Sequence, residues 1–120
     1  MLKLGVLASL LAFSIHAPQQ AQARPYDHVE GDDYASSAIR AGDYRKAERQ
    51  LIVRHYTDFN DPARLINIAT IYAATGRVPQ ARKMLKRVSR IGNALLILDS
   101  GEVRSSKVLA RLMLSRLGAA

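Results

Sequence analysis

The stretch NDPARLINIATIYAATGRVPQARKML, residues 60–85, decides the fold that this sequence predicts. Asp61 can accept hydrogen bonds from the free amides of a first helical turn, and Pro62 fits the first helical position. An apolar run follows as far as Gly76, a typical helix stop, and Pro79 opens a second helix. The stretch therefore predicts a helix, a tight turn and a helix.

The same arrangement occurs 34 residues earlier, in YDHVEGDDYASSAIRAGDYRKAERQL, residues 26–51. Identical residues stand at this offset in five pairs: Asp27 and Asp61, Ala35 and Ala69, Gly42 and Gly76, Ala47 and Ala81, Leu51 and Leu85. Five identities at one offset indicate a duplicated unit. A unit that buries its apolar face only against its neighbour builds a solenoid.

A period of 34 residues is that of the tetratricopeptide repeat, a helix-turn-helix unit with large, Leu, Gly and Tyr positions followed by Ala, Phe and Pro. The second copy matches the packing classes of that pattern with Leu65, Ile68, Ala69, Tyr72, Gly76, Ala81 and Leu85. The first copy has Gly31, Tyr34, Ala35, Ala38, Gly42, Asp43, Tyr44, Ala47 and Leu51. The chain thus resembles the tetratricopeptide repeat family from about Asp27 to Asn93. The resemblance implies an all-α fold, a short right-handed solenoid of two repeats at about 28–61 and 62–95.

Helix boundaries follow from the turn and cap residues. The sequence predicts helices from Asp32 or Asp33 to about Ala41, from Asp43 to about His55, from Asp61 to Thr75, and from Pro79 to about Ile91. Residues 94–104 are expected to form an extended segment or a small hairpin, with a continued helix as the alternative. Ser105 can cap a last helix, which we expect to close the solenoid within about 94–120. Its predicted apolar side holds Val108, Leu109, Leu112, Met113 and Leu117.

The first 23 residues have the features of a secretory signal peptide. Lys3 precedes an apolar run from Leu4 to Ile15, and Ala21-Gln22-Ala23 provides the small residues of a cleavage site. About 12 apolar residues fall short of the ~20 needed to span a bilayer, and no later stretch approaches that length. The sequence contains no cysteine, so disulfides cannot stabilise the remaining domain, residues 24–120. We therefore expect export, with the bacterial periplasm as the compartment.

The charge of +8 is unevenly distributed. Residues 24–61 contain six basic and eight acidic residues, whereas residues 62–120 contain eleven basic and two acidic residues. The fourth predicted helix carries five basic residues on an arc of about 140°, opposite its apolar side: Arg82, Lys83, Lys86, Arg87 and Arg90. Such a stripe can be a solvated outer face or a binding surface for an anionic partner.

The resemblance also implies a binding groove, because the family holds peptides or partner helices on the concave surface lined by the first helix of each repeat. Carried over position by position, the groove residues on the third helix are Ile66, Asn67, Thr70, Ala73 and Ala74, and those on the first helix are Ser37, Ile39 and Arg40. Asn67 stands where family members often have an asparagine that bonds a peptide backbone.

Catalytic and metal-binding signatures are absent from the sequence. The acidic stretch 27–33 matches neither the spacing of a calcium loop nor that of a zinc helix, and His55 stands where a cation complements a helix dipole. No cofactor, metal or nucleic acid partner is expected. The sequence therefore predicts a non-enzymatic adaptor that binds a protein or peptide through its concave face. The alternative is a cationic envelope-associated protein that docks on anionic surfaces or acidic partners through its outer face.

Overall fold

A computed structural model describes residues 34–53 and 59–118. The elements are α1 (Ser36–Arg40), α2 (Tyr44–Val53), α3 (Pro62–Ala74), α4 (Val78–Arg90), β1 (Leu95–Ile97), β2 (Val103–Ser105) and α5 (Ser106–Gly118). The described chain is mostly helical, as predicted, with one small two-stranded sheet. The predicted signal peptide, the acidic stretch 27–33 and His55 lie outside these ranges.

The predicted caps of α2 and α3 are present. Asp61 accepts a hydrogen bond from the amide of Ala63 at 3.0 Å, and Pro62 occupies the first turn. Asp43 accepts from the amide of Lys46 at 3.1 Å. These side chains bond amides that have no partner within the helix, so local chemistry fixes where both helices begin.

Helix α1 begins later than the sequence predicted. Ala35 has a left-handed backbone with φ of +56°, and regular helix starts at Ser36. Non-glycine residues rarely adopt left-handed backbone angles. Ala35 is fully buried, and its carbonyl accepts a hydrogen bond from the amide of Ile39 at 3.0 Å.

The two tight turns have the same geometry at the 34-residue offset. In the first, the amides of Gly42 and Asp43 donate to the carbonyls of Ile39 and Ala38 at 3.0 and 2.9 Å. In the second, Gly76 and Arg77 donate to Ala73 and Tyr72 at 3.3 and 2.7 Å. Both glycines have positive φ, +74° and +80°, the value that this type of helix end requires.

Completely buried residues also recur at the 34-residue offset. Three repeated pairs are completely buried: Ala35 with Ala69, Ala47 with Ala81, and Leu51 with Leu85. The alanines allow close approach of paired helices, and the leucines fill the space between them. The first members pack in a smaller cluster with Ile68 and Ile71, whereas the second members belong to the larger core.

Residues 94–105 form the small hairpin, the extended alternative that the sequence left open. Strands β1 and β2 are antiparallel, with Leu96 opposite Arg104. Leu96 and Leu98 are buried in the larger core. Ser106, the first residue of α5, is joined to the base of the hairpin by two hydrogen bonds. Its amide donates to the carbonyl of Ala94, and its hydroxyl oxygen accepts from the amide of Ala94.

Helix α5 packs against the larger core, but its buried side differs from the predicted one: Ala110 is buried, whereas Leu112 is only half-buried and Val108 is exposed. Leu109, Ala110, Met113 and Leu117 are buried, whereas Val108 is 46% exposed. The prediction of Val108 as a packing residue was wrong, because helical spacing places Val108 outside the arc that Leu109, Ala110, Met113 and Leu117 turn toward the core.

Candidate functional site

The residues predicted to line a concave groove do not lie on an open surface. Ile66, Asn67 and Thr70 are buried, at 0%, 0% and 1% exposure. The amide nitrogen of Asn67 donates to the carbonyl of Tyr34 at 2.9 Å, and the hydroxyl of Thr70 donates to Ile66 in its own helix. The prediction of these three residues as peptide contacts is therefore corrected, since their polar groups bond the protein itself.

The C-terminal segment explains part of this burial. Ile66 shares its core cluster with Leu96 of the hairpin and Leu109 of α5, and α3 contacts α5 directly. At the tip of the hairpin, Asp99 pairs with Arg40 of α1 at 3.2 Å. The hairpin and α5 therefore pack against the side of α1 and α3 that was expected to remain open.

The other predicted groove residues are divided between core and surface. Ile39 is buried, Ala73 and Ala74 are half-buried, and Ser37 is exposed. Arg40 is exposed but engaged by Asp99. These residues do not combine with Asn67 into one accessible site.

The five basic residues of α4 lie on the surface, opposite the buried side of the helix. We call this set, Arg82, Lys83, Lys86, Arg87 and Arg90, the cationic face. Four of the five are exposed and Arg82 is half-buried. The side opposite them contains the completely buried Ala81, Leu85 and Val88. The arrangement that the sequence predicted for this helix is present.

Two arginines of the cationic face are fixed by hydrogen bonds. Arg82 donates to the carbonyl of Leu117 near the end of α5 at 3.0 Å. Arg87 donates twice to the side-chain oxygen of Asn60, at 3.1 and 2.8 Å. These bonds orient both guanidinium groups without neutralising them, because a carbonyl and an amide oxygen carry no charge.

Lys83, Lys86 and Arg90 have no ion-pair partner in residues 34–53 and 59–118. The two acidic residues of the C-terminal half are occupied elsewhere, Asp99 by Arg40 and Glu102 by Arg104 at 2.6 Å. Helix α4 itself contains no acidic residue. The cationic face is therefore a surface of one sign, unlike a typical solvated helix face, where both signs alternate.

The cationic face borders an open depression of about 430 Å³, which is lined by Pro79, Arg82, Lys83, Lys86 and Arg90. Pro79, Lys83, Lys86 and Arg90 follow one another at helical spacing, so the depression runs along α4. Its lining offers ammonium and guanidinium donors and one apolar ring. Such a surface favours an anion with several oxygen acceptors.

Repulsion within α4 makes this arrangement costly for the helix. Like charges three or four residues apart occur in five pairs, for example Lys83 with Arg87 and Lys86 with Arg90. Each such pair destabilises an isolated helix by about 0.2–0.5 kcal/mol. An anion bound along the face would relieve this repulsion.

A second charged cluster has a structural role. Arg77, in the turn before α4, donates two hydrogen bonds to Glu48 of α2, at 2.8 and 2.7 Å, and lies 4.5 Å from the ring centre of Tyr72. The hydrogen bonds from Arg77 lower the pKa of Glu48 below its ordinary value of 4.5, and partial burial opposes them. This cluster ties α2 to α3 and to the turn between α3 and α4.

Replacing Glu48 with glutamine tests this tie through its pH dependence. Because the pKa of Glu48 is lower in the folded protein, its contribution is complete above the unfolded value of 4.5 and disappears as the pH falls through the folded pKa. We expect Glu48→Gln to cost about 1 kcal/mol or less at pH 7, since the pair is partly exposed, and less at pH 4, which lies below the unfolded value of 4.5. Urea unfolding at both pH values measures this. An equal cost at both pH values would show that the carboxylate charge is irrelevant.

The sequence did not reveal several groups that shape the cationic face. Asn60 and Pro79 were interpreted only as helix-start residues, and the carbonyl of Leu117 belongs to a different element. Arg64 was also missed: its buried guanidinium donates to the carbonyl of Leu51 at 3.1 and 2.7 Å. The apolar residues around it, Leu65 and Ile66, gave some indication of burial.

Within the described ranges, no three histidine or acidic residues come together as a possible metal site. In the same part of the chain, no helix has the length and apolarity needed to cross a membrane.

Comparison with known proteins does not assign a family. No protein-family model, curated protein or solved structure matches this chain.

Proposed function

We propose that this protein is an exported, non-enzymatic envelope protein that docks on the anionic headgroup surface of a membrane through the cationic face of α4. The observation that carries the proposal is the presence of five cations on one side of one helix with no carboxylate among them. The predicted signal peptide, residues 1–23, supports the proposed export, and the periplasm is the compartment that we propose for an exported chain without cysteine.

Geometry and electrostatics support this function together. Exposed cations near an anionic leaflet each contribute roughly 1 kcal/mol of attraction. Lys83, Lys86 and Arg90 extend from one side of α4, while Arg82 and Arg87 are oriented by Leu117 and Asn60. The opposite side of α4 is buried in the core, so docking needs no unfolding of the helix.

The wider architecture is proposed as two tetratricopeptide-like repeats closed by the hairpin and α5. The equal turn geometry at Gly42 and Gly76 and the equal burial of the alanine pairs support this proposal. In it, the C-terminal segment takes the place that a third repeat would have, covering the apolar side of the second repeat.

An adaptor that binds a protein or peptide is the second candidate, and the repeat geometry favours it. Its contact surface is not the set Ile66, Asn67 and Thr70, which is buried. An acidic protein would use the same cationic face. The two candidates therefore differ in the partner and not in the residues.

The test compares two variants that lose the same charge. Lys83→Gln, Lys86→Gln and Arg90→Gln are combined in one protein, and Arg45→Gln, Lys46→Gln and Arg49→Gln on α2 form the matched control. All six residues are exposed, so both variants should fold. Binding to vesicles of phosphatidylglycerol and phosphatidylcholine at low salt should fall about 100-fold in the α4 variant, at ~1 kcal/mol per cation, and far less in the control.

Two outcomes contradict the proposal. Equal losses in both variants would indicate that net charge, rather than the cationic face, controls binding. Absence of vesicle binding by the unaltered protein would remove the membrane as partner and favour the protein-binding adaptor.

A further inference from the structure

Lys86 stands at the centre of the depression on the cationic face. The depression is lined by Pro79, Arg82, Lys83, Lys86 and Arg90. Arg82 and Lys83 precede Lys86 by four and three residues, and Arg90 follows it by four, all within α4. Residues at these spacings are neighbours on a helix surface, with Cβ atoms about 5–6 Å apart. One anionic group beside Lys86 can therefore be reached by four cationic side chains.

Arg82 is already held in position at the side of the depression that faces α5. Its Nη2 donates to the carbonyl of Leu117 at 3.0 Å, which leaves its other N–H groups for a ligand. Because this side chain is fixed before binding, it loses less conformational entropy when it contacts an anion. Arg87 differs, since it is turned toward Asn60 at the start of α3 and does not line the depression.

The remaining cations supply many unshared donors. Lys83, Lys86 and Arg90 are exposed and form no ion pair within residues 34–53 and 59–118. A phosphodiester headgroup offers a single negative charge and two free oxygens to such donors. A phosphomonoester offers three free oxygens and a charge of about −1.5 to −2 near pH 7. The arrangement around Lys86 therefore matches a phosphomonoester more closely.

We propose that this depression binds the terminal phosphate of a phosphomonoester lipid headgroup, and that the protein thereby prefers membranes that display such lipids. The inference rests on the proposed membrane docking and adds the headgroup that the same surface selects. The ammonium of Lys86 donates to the phosphate, and Arg82, Lys83 and Arg90 donate to its oxygens from the sides. A uniformly charged surface would respond to charge density alone and would not distinguish the two headgroups.

Vesicles of matched surface charge separate headgroup recognition from general attraction. One set contains phosphatidic acid, a phosphomonoester, and the other contains phosphatidylglycerol, a phosphodiester. Both are prepared in phosphatidylcholine and adjusted to equal electrophoretic mobility. At low salt, the unaltered protein should bind the phosphatidic acid vesicles about 10-fold more tightly, the effect of one additional charge-assisted hydrogen bond. Cosedimentation with the vesicles measures both affinities.

Lys86→Gln and Arg87→Gln form a matched pair, because they remove the same charge from adjacent positions. Both side chains are exposed, so both variants should fold, but only Lys86 lines the depression. Lys86→Gln should reduce the preference for phosphatidic acid to about 2-fold or less, since the central donor is lost. Arg87→Gln should weaken binding to both kinds of vesicle alike and leave their ratio unchanged.

The outcomes distinguish headgroup selection from membrane docking. Equal affinity of the unaltered protein for the two charge-matched vesicles would overturn the selection and leave docking in place. An equal loss of preference in both variants would also overturn it, because the depression would then contribute no more than its surroundings. Failure to bind either kind of vesicle would contradict membrane docking, and with it the selection that rests on docking.

Discussion

Deleting residues 106–118 is expected to abolish the folded monomer. Helix α5 contributes four completely or nearly completely buried residues to the larger core: Leu109, Ala110, Met113 and Leu117. Its removal would expose their neighbours on α3, α4 and the hairpin, an apolar area that a soluble monomer rarely exposes. Circular dichroism and gel filtration should show lost helicity or aggregation.

The control for this deletion is Val108→Ser in the full-length chain. Val108 belongs to the same helix but is 46% exposed, so its replacement should change stability by no more than about 0.5 kcal/mol. A truncated protein that remains monomeric with unchanged helicity in residues 34–90 would show that α5 is not required to cover the core.

Among single substitutions, Leu85→Ala should have the largest effect on stability. Leu85 is completely buried in the larger core, and truncation of a buried leucine to alanine costs about 2–5 kcal/mol through lost contacts and a cavity. In a domain of this size, the midpoint of thermal unfolding should fall by roughly 8 °C or more.

The repeat equivalent Leu51 and its exposed neighbour Ile52 provide the comparison. Leu51→Ala should cost less than Leu85→Ala, because Leu51 packs in the smaller cluster. Ile52, 49% exposed, should tolerate alanine with little loss. A cost below about 1 kcal/mol for Leu85→Ala would mean that the packing of α4 against the core is wrong.

The parts of the fold that sequence predicted correctly depend on local chemistry. Asp61 with Pro62, Asp43, and the two turn glycines each act on amides or backbone angles within a few residues, so their effect can be judged without a tertiary structure. The same holds for the cationic face, whose arrangement follows from helical spacing alone.

The predicted groove was wrong because the exposure of its residues depends on contacts with segments that are distant in sequence. Whether Ile66 and Asn67 face solvent is decided by the hairpin, by α5 and by Tyr34, which lie about 30 residues or more away. One signal was present in α3, where Leu65, Ile66, Ile68 and Ile71 are distributed around the helix. A helix that is apolar all round is buried, and here every residue from Ala63 to Ile71 is.

Lysine footprinting with and without anionic vesicles tests the central claim most directly, because it reports which surface meets the membrane. Phosphatidylglycerol vesicles should slow the acetylation of Lys83 and Lys86, while Lys46 on α2 and Lys107 on α5 keep their rates. Neutral phosphatidylcholine vesicles should protect none of them. Equal protection of all four lysines, or protection of Lys46 and Lys107 alone, would contradict docking through the cationic face of α4.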